Sequence, residues 1–345
     1  QDHILSLLIR AERQNLLKLI NYPEDSAGAY MTTEYAILRN DDKVINALEK
    51  LRLQAPKKET IYYIYVVDKS LRLIGCVSLR KLIMSQRRSL VEEVMDKNVI
   101  SVQVDEDIEE VAQQMRHYDF LAMPVIAPDQ RMVGMITFDD IYDVIQEEAT
   151  EDMYHLANLD TDETIESSLS RSVRLRLPWL FVNLCTALIV AYTVNQFSET
   201  ISSFVALAAM MPVVGMIGGN AGNQSLVVVV RALALGEISI RENWRVLFKE
   251  LGVGLLNGFI IGFFMGCVAF LGYQNLWLSL IIWMAMTLTL VIAGLFGSMV
   301  PVILRKCKLD PALGSSIVVT TATDVFGFLI FLGLSTLLLT RLVAV

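Results

Sequence analysis

The stretch Thr320-Thr-Ala-Thr-Asp-Val-Phe-Gly-Phe328 carries one carboxylate, Asp324, near the middle of an apolar run from about Gly314 to Thr340. That run is long enough to cross a bilayer. A charge at bilayer depth costs at least ~2.5 kcal/mol even on the lenient insertion scale, so such acids face a bundle interior or a water-filled path. Ser316, Thr320, Thr323, Asp324 and Gly327 recur at three- and four-residue steps and share one helical face; the other face is Val, Ile, Leu and Phe. The pattern reads as a polar stripe along a pathway, with Asp324 as its charged point. The alternative is a protonated Asp bonded to a neighbouring helix. Of the six acids in residues 177–345, no other lies so deep in an apolar segment, and no second buried acid is expected in the chain.

A second polar set lies in Pro212-Val-Val-Gly-Met-Ile-Gly-Gly-Asn-Ala-Gly-Asn-Gln-Ser225. It is too rich in glycine and amide for a lipid-facing helix, so an interrupted span is expected there. Irregular backbone at membrane depth is tolerated only within protein or beside water. Exposed carbonyls and the amides of Asn220, Asn223 and Gln224 would then meet a hydrated cation. The alternative is close helix packing by Gly215, Gly218 and Gly219. A third set is acidic: residues 132–170 hold eleven acids and no Lys or Arg. Asp140, Asp143, Glu147 and Glu151 fall on one side of a helix, flanked by Glu148 and Asp152. Such a run is ordinarily a solvated face. Like charges at this spacing repel, however, and carboxylates that a divalent ion must bridge make a sensor.

These groups need elements to hold them. Five apolar spans are expected, at about Leu177–Phe197, Ile201–Val230, Phe248–Leu271, Leu276–Leu304 and Gly314–Thr340. In the third, Gly254, Gly258, Gly262 and Gly266 form a close-packing face; Ala293, Gly294 and Gly297 do the same in the fourth. Met210, Met211, Met284 and Met286 read as apolar filling. Bases gather at Arg171–Arg176, Arg231–Lys249 and Arg305–Lys308, in alternation with base-free loops. The positive-inside rule then places the N-terminal part in the cytoplasm and the C-terminus outside, with Arg341 dissenting.

Charge divides the chain as well. The whole carries 37 acids and 29 bases; residues 177–345 hold six and eight, leaving 31 and 21, a net of −10, for residues 1–176. An acidic soluble module therefore precedes a membrane domain. This balance argues against nucleic acid as a partner and favours cations. The four cysteines are scattered and suggest neither a disulfide framework nor a zinc site. Residues 1–20 read as an amphipathic helix. The start at Gln1 leads us to expect a longer protein, in which this helix closes a helical domain.

Residues 31–148 repeat internally. Met31-Thr-Thr answers Met95-Asp-Lys, Ile64-Tyr-Val-Val67 answers Met123-Pro-Val-Ile126, and Leu73-Ile-Gly-Cys-Val-Ser78 answers Met132-Val-Gly-Met-Ile-Thr137. Each copy reads as helix, strand, turn, strand, helix, and the plain alternative for Gly75 and Gly134 is a hairpin turn. The pair resembles tandem CBS domains, a regulatory α/β module that often binds adenosine nucleotides. Gly134-Met-Ile-Thr137 with Asp140 matches the nucleotide-binding G-x-x-[ST]-x-x-D element. Weak ATP or AMP binding is therefore expected at Thr137 and Asp140. The first copy has Lys81 in place of that Asp.

Tyr22-Pro-Glu-Asp-Ser-Ala-Gly, the CBS pair, Glu148-Ala-Thr-Glu-Asp152, Gly218-Gly-Asn-Ala-Gly-Asn-Gln-Ser225, Asp310-Pro-Ala-Leu313 and Thr323-Asp-Val-Phe-Gly327 together resemble the MgtE-type magnesium channels. The likeness covers essentially the whole chain except the family's helical N-terminal domain. It implies an α+β cytosolic tandem CBS module joined by a long helix, about Thr161–Arg176, to an all-α five-helix transmembrane domain. It also implies a homodimer in the inner cell membrane, bathed in lipid. The domains would be a remnant at 1–30, CBS copies at 31–94 and 95–150, a connecting region at 151–176 and a pore domain at 177–345. Asp324 would hold hydrated Mg²⁺ with Thr320, Thr321, Asn220, Asn223 and Gly219. Asp107, Glu109, Asp119, Asp140, Asp143, Glu148, Glu151, Asp152 and the gate residue Asp310 would bind regulatory Mg²⁺ and close the pore. Two other readings remain: an ion-coupled carrier for Co²⁺ or Mn²⁺, and an intramembrane aspartyl hydrolase, which needs a second acid.

Overall fold

A computed structural model describes residues 19–238, 243–338, 340 and 342. The amphipathic helix expected over residues 1–20 thus lies almost wholly outside the described residues, as does Arg341. The chain divides into two compact units, Gln1–Glu148 and Ala149–Val345.

The first unit holds α1 (Ala27–Tyr30) and then two copies of one motif. Copy one is β1 (Tyr35–Arg39), α2 (Val44–Gln54), β2 (Thr60–Val67), β3 (Leu73–Ser78) and α3 (Leu79–Met84). A short α4 (Val91–Val94) leads to copy two: β4 (Val102–Gln103), α5 (Ile108–His117), β5 (Ala122–Ile126), β6 (Met132–Thr137) and the start of α6 (Phe138–Leu156), whose residues after Glu148 belong to the second unit. In each three-stranded sheet the first strand runs parallel to the second, and the second antiparallel to the third. The leading strands β1 and β4 are additions to the sequence reading; one is five residues long and the other two, too short to show a period.

Each copy has its own apolar core, around Leu38, Ile64 and Leu82 in the first and Ile108, Met115 and Met123 in the second. Tyr65 and Val67 meet Ala122, Met132 and Met135 in a further cluster joining the two sheets. Gly75 and Gly134 are not hairpin glycines. They lie inside β3 and β6, where a Cβ would come within 2.5 Å of the Met95 and Met31 sulfurs respectively. The methionine that opens copy one therefore packs on the glycine of copy two, and the one that opens copy two packs on copy one.

Among the described residues, the second unit holds five helices long and apolar enough to cross a membrane. They are α7 (Leu169–Asn195), α9 (Ala206–Ala234), α10 (Asn243–Tyr273), α11 (Leu276–Lys306) and α12 (Ser315–Leu337); a short α8 (Ser198–Ser203) precedes α9. Helix α11 is central, packing along α9, α10 and α12, while α7 touches chiefly α12 and buries none of its residues within the chain. A Cβ on Gly254, Gly258 or Gly262 would meet backbone of Leu290, Thr287 or Trp283 within 2.9 Å. The four-residue glycine ladder is thus the α10–α11 seam, as the spacing predicts.

Two expectations are corrected. Span two is not interrupted at its glycines: α9 is helical from Ala206 to Ala234, through Pro212. Gly215, Gly218, Gly219 and Gly222 are buried against neighbouring helices. With those neighbours excluding water, intrahelical hydrogen bonds are the way to satisfy the backbone. The break comes earlier, at Phe204, which is not helical (φ −146°, ψ 88°). Nor does one helix cover Thr161–Arg176. Residues 157–168 turn: Asn158 is left-handed (φ 56°), Asp160 Oδ1 accepts from the Asp162 amide at 3.0 Å, and α7 then starts after Ser168, whose side chain makes no capping bond.

Candidate functional site: a carboxylate between two glycine-notched helices

Helices α9 and α12 come together through small residues. A Cβ on Gly215 would lie 3.3 Å from Asp324 Oδ1, one on Gly219 3.6 Å from Thr320 Cγ2, and one on Gly222 2.7 Å from Val319 Cγ1. The absent side chains leave a notch, and the Asp324 carboxylate, half-buried, lies against it. Ser316, one turn before Thr320 on α12, donates from Oγ to Asn223 Oδ1 on α9 at 3.2 Å. Gly215, Gly219, Asn223, Ser316, Thr320 and Asp324 are therefore brought along one α9–α12 seam. Thr321 is half-buried beside it and bonds its own helix at Ile317 O (2.7 Å). Asn220 is exposed on α9.

The polar stripe read from sequence splits in two. Thr323 and Gly327 are buried in helix packing, where a Cβ on Gly327 would meet Thr289 Cγ2 of α11 at 3.1 Å. Ser316, Thr320 and Asp324, at steps of four, remain half-buried. Helix packing covers Thr323 and Gly327 fully and leaves Ser316, Thr320 and Asp324 partly open.

Two acids are buried against expectation: Glu163, which accepts from Arg176, and Glu250. Glu250 on α10 is 5% exposed and its Oε2 accepts from Ser225 Oγ on α9 at 2.7 Å. Ser225 lies ten residues beyond Gly215, or ~15 Å along the helix, so Glu250 does not form a dyad with Asp324. The sequence signal was weak because Glu250 follows Lys249 and reads as a flanking charge.

The acids expected to bind regulatory ions are placed as follows. Asp107 caps α5, with Oδ1 accepting from the Glu109 amide at 2.8 Å; Glu109 accepts from Gln113 at 3.2 Å. Asp119 adopts a left-handed backbone (φ 54°) in the turn before β5. Asp140, Asp143, Glu147, Glu148, Glu151 and Asp152 all lie on α6. Asp310 receives His155 Nδ1 at 2.6 Å, within the second unit, and its other oxygen accepts from the Ala312 amide at 2.8 Å. Of this pair, only Asp310 is expected from sequence to be functional. Among the described residues no three His, Cys, Asp or Glu side chains lie close enough together to hold a metal ion.

For the nucleotide expectation, Thr137 Oγ1 donates to Asp140 Oδ2 at 2.7 Å, so the two side chains are bonded to each other where β6 passes into α6. An open cleft of about 610 Å³ is lined by Tyr62, Tyr63, Arg80, Ile83 and Met84 of the first copy and Leu121 of the second, among others.

Fold and site define a multi-pass membrane protein with a tandem CBS module and an acid set between two closely packed helices. Comparison with known proteins narrows this. A family model described as MgtE, divalent cation transporter, matches residues 211–334, and a CBS-domain model matches 27–87 and 91–147. The magnesium transporter MgtE of Thermus thermophilus is 40% identical over 342 residues, 98% of this chain and 75% of that protein. That of Enterococcus faecalis is 37% identical over 326 residues, 94% and 72% of the two chains. A crystal structure of the cytosolic domain of the Mg²⁺ channel MgtE in complex with ATP aligns with 45% identity, a TM-score of 0.41, and coverage of 41% of this chain and 58% of that one. The chain belongs to the MgtE magnesium transporter family.

Proposed function

We propose that this chain forms a homodimeric, Mg²⁺-selective channel that lets Mg²⁺ into the cytoplasm and is closed by cytosolic Mg²⁺. The observation that carries the reading is the Asp324 carboxylate against the Gly215 notch, continuous with Gly219, Thr320, Asn223 and Ser316. Mg²⁺ dehydrates reluctantly, keeps several waters and binds through one or two carboxylates. Asp324 would attract the hydrated ion, and the Thr320 and Thr321 hydroxyls and the Asn220 and Asn223 amides would accept or donate hydrogen bonds to its waters. Two copies of Asp324 about one axis would supply two carboxylates. Helix α7, which buries nothing within the chain, is apolar enough to face lipid or the second copy. An inside-negative potential of about 100 mV adds roughly 4.6 kcal/mol of inward drive for a divalent ion.

The CBS module lies in the cytoplasm in this reading and the C-terminus outside. Asp107, Glu109, Asp119, Asp140, Asp143, Glu148, Glu151, Asp152 and Asp310 are the regulatory acids. Because the described residues of one chain bring no three of them together, donors from a second copy complete such sites. ATP or AMP binds the second CBS copy at Thr137 and Asp140, after those two side chains give up their mutual bond.

The test is Mg²⁺ flux into liposomes containing the purified chain, with an imposed potential. The reading requires inward flux that rises as the interior is made more negative, and unitary current steps in patch recording. Saturating flux that needs a co-ion and shows no unitary steps would indicate a carrier and overturn it.

A further inference from the structure

Glu250 is a carboxylate that the conduction path, as described, does not use. It lies on α10 and is buried, yet α10 packs along α11 rather than along α9. It reaches α9 because α11 is notched on two sides. A Cβ on Gly294 would lie 2.6 Å from the Glu250 carbonyl, and one on Gly297 2.5 Å from the Gly222 carbonyl and 2.8 Å from Ser225 Cβ. Through those notches α10 and α9 close on α11 from both sides, and Ser225 Oγ donates to Glu250 Oε2 at 2.7 Å. The remaining oxygen, Oε1, lies 3.7 Å from the exposed Lys249 ammonium.

The position of Ser225 gives this bond a consequence for the path. Asn223 lies two residues earlier, about 200° round the helix, and takes the Ser316 Oγ hydrogen bond from α12. Helix α9 is therefore gripped on opposite sides, by Glu250 through Ser225 and by α12 through Asn223. A buried carboxylate is an expensive way to hold a helix; apolar packing of similar volume serves stability as well or better. What a hydrogen bond adds is a fixed rotation and depth. We propose that Glu250 is a positioning residue for conduction, holding α9 so that Asn223 keeps its register with Ser316 and hence with Thr320 and Asp324. This rests on the reading that the α9–α12 seam lines the path.

The experiment compares Glu250→Gln, Glu250→Ala, Ser225→Ala and the double alanine variant with the unaltered chain. Each is reconstituted in liposomes and normalised to the amount of protein that elutes as folded. Maximal Mg²⁺ flux and the ratio of Mg²⁺ to Co²⁺ flux are read, with Asp324→Asn run alongside. Ser225→Ala and Glu250→Ala should each lower flux per folded molecule about tenfold, the scale of one lost buried hydrogen bond, and shift the ratio. The double variant should be no worse than Glu250→Ala, since the two residues act as one unit. Glu250→Gln keeps an oxygen for Ser225 and should stay within about twofold of the unaltered chain. If Glu250→Ala fails to fold, Ser225→Ala and Glu250→Gln decide the matter. Unchanged flux and ratio in Ser225→Ala, additive losses, or a glutamine variant as poor as alanine would overturn the proposal. An inactive Asp324→Asn beside a normal Ser225→Ala would overturn it alone; a normal Asp324→Asn would remove the path on which it rests.

Discussion

Gly258 and Gly252 lie on the same helix and separate packing from propensity. A Cβ on Gly258 would lie 2.7 Å from Thr287 Cα and 2.9 Å from Thr287 O, whereas one on Gly252 meets nothing within 4 Å. Carbon contacts are comfortable near 3.5–4.0 Å, so alanine at Gly258 must push α10 and α11 apart by about 1 Å. Both obstructing atoms are backbone and cannot rotate away. Overpacking of this kind costs ~1–3 kcal/mol, partly offset by up to ~1 kcal/mol of helix propensity gained over glycine. The net loss is ~1–2 kcal/mol, which in a unit of this size lowers the melting temperature by about 2–8 °C. Gly252→Ala gains the propensity without the clash and should raise it by up to ~4 °C. Leucine at Gly258 or Gly262 should reduce the yield of folded protein outright. Thermal melts followed by size-exclusion chromatography read both signs. Equal shifts in the same direction for the two alanine variants would refute the packing argument.

The Arg176 guanidinium donates to Glu163 at 2.7 Å and holds that carboxyl below its ordinary value of 4.5. A depressed carboxylate pKa stabilises the fold above its unfolded value and ceases to do so as pH falls through the folded one. Glu163→Gln should therefore melt lower than the unaltered chain at neutral pH, and the gap should narrow as acid protonates the carboxylate; a gap that does not change with pH contradicts the assignment. Replacing Asp140, Asp143, Glu148 and Glu151 together should leave channel opening insensitive to cytosolic Mg²⁺ while conduction survives. Protease cleavage in residues 150–170 should then no longer slow as Mg²⁺ rises; an unaltered Mg²⁺ dependence would mean these acids are only a solvated face. Asp140→Ala should weaken ATP binding measured by calorimetry, and equal binding by both proteins would place the nucleotide elsewhere.

Much of this was legible because it repeats. The apolar spans, the glycine ladder from Gly254 to Gly266 and the doubled CBS motif each impose a period that survives in a single sequence. Asp324 stood out because nothing near it in the chain is charged. Glu250 stayed hidden for the opposite reason: Lys249 precedes it, and its partner Ser225 is on another helix that approaches only through Gly294 and Gly297. The glycines and amides of α9 were misread as a break because composition does not tell whether a helix is surrounded by lipid or by other helices. The same blindness joined Thr323 and Gly327 to the path, since periodicity assigns a face but not which part of it a neighbour covers. His155 and Asp310 are 155 residues apart, and no local pattern links them.

The central claim is that the Asp324 charge, rather than its shape or hydrogen bonding, carries Mg²⁺ through the membrane unit. Asp324→Asn is nearly isosteric and keeps an acceptor against Gly215 while removing the charge. Mg²⁺ flux into liposomes, per folded molecule and at a fixed inside-negative potential, measures the difference directly. The account predicts that the asparagine variant assembles like the unaltered chain and conducts essentially no Mg²⁺. Flux close to the unaltered level through a well-folded Asn variant would contradict it.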